Sequence, residues 1–115
     1  MSDMMRVRIF QLADDPSIHG LFFRSYHSLE ARDEEVKAEN YELRYDCERP
    51  DSDNLETIYA EFNINRPADF TGHSLSMSDV VVVTRGDTTK CYYVDTVGFK
   101  EVPEFKVEKA RLVAF

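Results

Sequence analysis

The chain has 115 residues, 43% of them hydrophobic and 12% aromatic, with only four Gly and four Pro. This is enough for one domain (1–115) with a modest core, and it excludes a disordered or low-complexity chain. Twenty-two acidic residues against 14 basic give a net charge of -8, which argues against direct nucleic-acid binding, because such a surface repels a phosphate backbone.

Met5 to Leu12 alternates, with Met5, Val7 and Ile9 opposed to Arg6 and Arg8, and reads as a strand. Asp14 to Ser17 is a turn, and Ile18 to Phe23 is expected as a short strand or an irregular packing segment. From Ser25, Tyr26, Leu29 and Val36 fit one face of a helix of two or three turns. Tyr41 to Glu48 alternates again: Tyr41, Leu43, Tyr45 and Cys47 are expected on one face of a half-buried antiparallel strand, and Glu42, Arg44, Asp46 and Glu48 on the other.

Pro50 and Asp51 break the chain. Asp53 then offers an N-cap carboxylate, with Glu56 three residues on, ahead of a helix carrying Leu55, Ile58, Tyr59 and Phe62 at i, i+3, i+4 and i+7. Arg66 to Gly72 is a connector. Four consecutive valines in Asp79 to Thr84 indicate a strand buried on both faces, and Lys90 to Asp95 returns from it as a hairpin. Arg85-Gly86-Asp87 matches an adhesion string but is ordinary turn chemistry. After Gly98, the residues Phe99, Phe105, Leu112 and Phe115 point to a tail docked on the core, with a short final strand. The expected architecture is α+β: a single domain with a bent antiparallel sheet of four to six strands and two helices, in the order β, α, β, α, β, β.

The charge is not evenly spread. Glu30 to Glu61 holds twelve acidic and four basic residues, and so the whole of the -8, while the remaining residues balance. Such a run is either a solvated face or a surface for a basic protein partner. On the second reading Glu34, Glu35, Glu39, Glu42, Asp46 and Glu48 are the partner-binding candidates.

Gly72-His73-Ser74-Leu75-Ser76-Met77-Ser78-Asp79 is the richest polar cluster. It lacks a nucleophile elbow and feeds an apolar strand, so it reads first as strand-entry chemistry and second as a binding surface. No catalytic set is visible, and the chain is expected not to be an enzyme. His19, His27, His73, Cys47 and Cys91 are too scattered to indicate a metal site. The glycines at 20, 72, 86 and 98 never cluster into a phosphate loop, and no cofactor is implied. Two cysteines give no disulfide framework. No apolar run approaches the roughly 20 residues that cross a bilayer, and the N-terminus lacks a signal-peptide pattern, so a cytoplasmic protein without membrane contact is expected. Tyr41, Tyr45, Tyr59, Tyr92 and Tyr93 are expected mostly in core or edge packing.

Several of these stretches together resemble one family. Arg6 to Leu12, Ile58 to Asn63 leading to Arg66 to Phe70, Gly72 to Val82, and Tyr92 to Phe99 followed by Pro103-Glu104-Phe105 are similar to the YodL-like family, with the Gly-His-Ser-Leu-Ser to Asp-Val-Val run the most specific part. Leu29 to Asn40 departs most from the family pattern. The resemblance implies a small protein or module of bacterial conjugative elements and phages, often beside antirestriction functions, and implies no reaction. Two expectations follow. One is a protein-interaction module that antagonises a host restriction or CRISPR nuclease through its acidic surface. The other is an accessory module for another element-encoded protein of conjugation or replication, binding through Gly72, His73, Ser74, Ser76, Ser78, Asp79, Tyr93 and Asp95.

Overall fold

In a computed structural model of the protein, residues 4–64 and 74–111 are described. They form five strands: β1 (Met4–Leu12), β2 (Tyr41–Pro50), β3 (Val80–Arg85), β4 (Thr88–Val94) and β5 (Phe99–Glu101). All neighbours are antiparallel, in the spatial order β2-β1-β3-β4-β5, so the sheet is open. The two α-helices are α1 (Tyr26–Ala31) and α2 (Leu55–Ile64), and 3-10 turns occupy Pro16–Leu21, Ala38–Asn40 and Val107–Lys109. The architecture is α+β. No helix among the described residues is long and apolar enough to cross a membrane.

Side-chain alternation places one core on each face of the sheet. Val81 and Val83 of β3 join Met5, Val7 and Ile9 of β1 under Ile58 and Phe62 of α2. Val80 and Val82 point the other way and meet Phe10, Leu12, Cys91 and Tyr93 under Leu29 of α1, with Ala38 from the second 3-10 turn and Val36, Val102 and Phe105 from coil segments. The valine strand is therefore buried on both sides, as its composition requires. The two helices lie on opposite faces.

Strand β2 departs from simple alternation. Ile9 pairs with Tyr45 but Phe10 pairs with Leu43, so Arg44 is an extra residue in a β-bulge. The slip divides the expected apolar face. Tyr41 and Leu43 pack on the α1 side, whereas Tyr45 and Cys47 pack under α2.

Local chemistry sets the other boundaries. Pro16–Leu21 is a 3-10 turn and not a strand, started by Asp15, whose carboxylate accepts from Ser17 N. Helix α1 begins at the Ser25 cap and stops after six residues, because Asp33 takes a left-handed φ of 55° that cannot continue a helix. Val36 is thus buried from a loop. Helix α2 is capped by Asn54, which accepts from Thr57 N at 2.8 Å, and not by Asp53. The hairpin turn is the pair Gly86-Asp87, with Gly86 at φ +57°, the positive value that a two-residue turn needs at its first position. The expected connector at 66–72 and the residues Leu112 and Phe115 lie outside the described residues.

Asp53 serves Arg49 instead. The Arg49 guanidinium donates to Asp53 at 2.9 Å and, through two nitrogens, to both Glu61 oxygens at 2.6 Å, and it lies 6.0 Å from the Phe62 ring centre. This clamp ties the end of β2 to α2. An Arg49→Met variant is expected to lose about 1–3 kcal/mol in urea unfolding, since a half-buried two-point ion pair is broken and Glu61 is left behind. An unchanged denaturation midpoint would show that the clamp adds nothing.

Candidate functional site

The six acidic candidates do not form one strip. Glu34 pairs with Arg32 at 3.1 Å, Glu42 with Arg44 at 2.8 Å, and Asp46 with Arg6 through two bonds of 3.0 and 2.6 Å. The Arg6 hydrogen bonds hold the Asp46 carboxyl below its ordinary pKa. The bulge separates the β2 members, since Glu42 lies opposite Gln11 and Asp46 opposite Arg8, residues on different faces of β1. Glu35, Glu39 and Glu48 are exposed.

Another acidic group lies at the end of α1 and along the α1–β2 connection. Glu30, Asp33, Glu35 and Glu39 are all exposed, and none enters an ion pair among the described residues. Asp33 and Glu35 line a cleft of about 550 Å³ whose opposite wall includes Ser17, Ile18 and Leu21 of the first 3-10 turn. Lys37 and the Arg32–Glu34 pair also line it. Sequence spacing gave no sign of the Pro16–Leu21 wall, which folding brings in from elsewhere.

The second candidate set converges at one end of the sheet, but largely inside it. Ser78, Asp79 and Tyr93 are buried at 1% exposure each, so they are not available as a surface. Ser78 sits at φ 85°; its Oγ accepts from Phe23 N at 3.2 Å and its carbonyl accepts from the Tyr41 hydroxyl at 2.7 Å. The Tyr93 hydroxyl donates to Arg24 O at 2.6 Å. Asp95 is half-buried and accepts from Tyr26 N at 2.9 Å and Thr96 N at 2.8 Å, joining the β4–β5 turn to the start of α1. Ser74 and Ser76 are half-buried, and Gly72 and His73 lie outside the described residues.

Asp79 is the most perturbed group of this set. Its Oδ2 accepts from Gln11 Nε2 at 3.0 Å and Ser76 N at 2.9 Å. Both bonds favour the carboxylate, but burial outweighs them and pushes its pKa up to about 8. Burial also raises the Tyr41 and Tyr93 hydroxyls. Together these bonds form a clamp that fastens the long excursion between β1 and β2 to the entry of β3. Among the described residues no group of three His, Cys, Asp or Glu side chains is placed to hold a metal ion.

The run from Arg6 through the strand-entry motif to Phe105 matches the family model of the YodL-like domain over residues 6–105. The chain belongs to the YodL-like domain family. No curated protein and no solved structure gives a significant match. Within this YodL-like domain the described part of the run expected over Gly72 to Val82, residues 74–82, contributes to the clamp and to the doubly buried strand.

Proposed function

We propose that this YodL-like domain is a non-enzymatic protein-interaction module of a mobile genetic element, and that it antagonises a host restriction or CRISPR nuclease. The contact surface on this reading is the end of α1 and the α1–β2 connection, and the observation that carries it is the group Glu30, Asp33, Glu35 and Glu39, exposed and outside any ion pair among the described residues. Carboxylates held a few residues apart on a fixed backbone resemble the charge pattern of a phosphate chain, and long-range attraction steers them toward a basic groove. The mobile-element setting rests on the resemblance of the chain to its family. The alternative, an accessory role with another element-encoded protein, loses Ser78, Asp79 and Tyr93 as contact residues because they are buried.

The test combines Glu30→Lys, Glu35→Lys and Glu39→Lys with Asp33→Asn, since asparagine tolerates the left-handed backbone there. Inhibition of the host nuclease is expected to fall by about tenfold or more, with a flatter salt dependence. Unchanged inhibition and salt dependence would overturn charge mimicry. Capture of relaxation or replication proteins by the intact chain, in place of nuclease subunits, would favour the accessory role.

A further inference from the structure

The described residues cover the face of the sheet under α1 only in part. Phe105 of the C-terminal segment stacks edge-on against Phe10 and Tyr41, with ring centres 5.4 and 5.3 Å apart, and closes that row. The next row outward runs across the strands as Asp46, Arg8, Val82 and Cys91. Beyond it lie Arg6 and the hydroxyl pair of Thr84 and Thr89 at 2.9 Å, open to solvent. Arg8 therefore stands at the border between cover and solvent.

Its electrostatic position is unusual. Asp46, the carboxylate opposite it, directs both oxygens to Arg6. The Arg8 Nε is buried without a hydrogen-bond partner, and the side chain enters no ion pair among the described residues. Burial, together with Arg6, draws its pKa below the ordinary value. Asp46 attracts this half-buried guanidinium without bonding to it, which leaves a donor group that a further acceptor would satisfy. In front of it is a groove of about 630 Å³, lined also by Lys90, Lys106, Cys91 and Phe105, with Glu101 and Glu108 beside them.

We propose that this groove binds one oxyanion group, phosphate or carboxylate, with Arg8 as its fork at the floor and Lys90 and Lys106 supplying further positive charge. A planar guanidinium matches either anion through two parallel bonds. The two glutamates, and the acidic character of the chain, limit the ligand to a single compact anion and disfavour a polyanion such as nucleic acid. This site is separate from the acidic group above and does not depend on it.

The experiment is a titration of the intact chain, followed by amide and arginine Nε–Hε resonances, with inorganic phosphate in one arm and glutarate in the other. Chloride holds the ionic strength constant. Saturable shifts at Arg8 Nε and at the Cys91 and Lys106 amides are expected in at least one arm, lost in Arg8→Met and weakened several-fold in Lys106→Gln. Saturation with phosphate alone assigns a phosphate ligand, and with glutarate alone a carboxylate; either supports the site. Should Arg8→Met fail to fold, Arg8→Lys takes its place, and loss of two-point capture is expected to weaken binding several-fold. Shifts that never saturate, or that persist unchanged in the Arg8 variant, would overturn the proposal.

Discussion

Phe62→Ala is expected to cost about 3–5 kcal/mol, a large share of the roughly 5–15 kcal/mol that holds a domain folded. Phe62 is fully buried at the centre of the core under α2, with the Tyr45 ring 5.3 Å away edge-on and Met5, Val7, Ile9, Ile58 and Leu75 in the same cluster. Helix α2 is only ten residues long and would be marginal alone, so its stability comes from the face that Ile58 and Phe62 bury. The carbonyl of Phe62 also accepts from Leu75 N at 3.2 Å, which couples the helix end to the approach to β3. Urea unfolding measures the loss, and Phe62→Leu, which retains most of the volume, is expected to recover more than half of it. A loss below about 1 kcal/mol for the alanine variant would mean that the core collapses around the cavity and that α2 is held by other contacts.

Where a pattern is local, it could be read from the chain. The alternation of Met5, Val7 and Ile9, the four valines of β3, the Gly86-Asp87 turn and the Ile58–Phe62 spacing each state their own periodicity, and each element stands where that periodicity puts it. The bulge at Arg44 is different in kind. Strand β2 alternates perfectly in sequence, and only its register against β1 shows that one residue is unpaired and that Tyr45 and Cys47 belong to the other core. The α2 cap turned on a similar competition: Asp53 and Asn54 are both good caps, and Arg49 withdrew Asp53 by an ion pair that no local rule anticipates.

The candidate sites were legible to the same extent. The concentration of charge in Glu30 to Glu61 is visible in composition, but which carboxylates remain available depends on Arg6 and the other arginines that fold against them. Ser78, Asp79 and Tyr93 read first as strand-entry and packing residues and only second as a binding surface; they are inside, and their partners Phe23, Arg24 and Gln11, which the sequence does not name, come from 55 to 69 residues away. Arg6 and Arg8 are indistinguishable in the alternation of β1. The fold separates them: Arg8 lies beside the Phe10 row that Phe105 covers and has a buried Nε, whereas Arg6, one row further out, is exposed.

The buried carboxyl of Asp79 should make stability fall as pH rises through neutrality. Its pKa is about 8 in the folded chain against an ordinary 3.8, so between those values the folded state holds a proton that the unfolded state has released. The contribution is fully present below the unfolded value and is lost as pH climbs toward about 8, at a limiting slope of about 1.4 kcal/mol per pH unit. Asp79→Asn removes the titration and retains an oxygen for the Gln11 and Ser76 donors. In unfolding free energies measured from pH 5 to 8.5, the variant is expected to gain on the natural protein by about 1.4 kcal/mol per pH unit up to about pH 8, and the difference to level off above it. A constant difference across that range would show that the carboxyl ionises normally inside the fold. The expected trend has a structural reading beyond stability. Asp79 directly follows Ser78, which holds Phe23 and Tyr41 on either side of the excursion that carries Glu30, Asp33, Glu35 and Glu39. Ionisation of the neighbouring Asp79 is therefore expected to weaken the hold of this clamp on the excursion as pH rises.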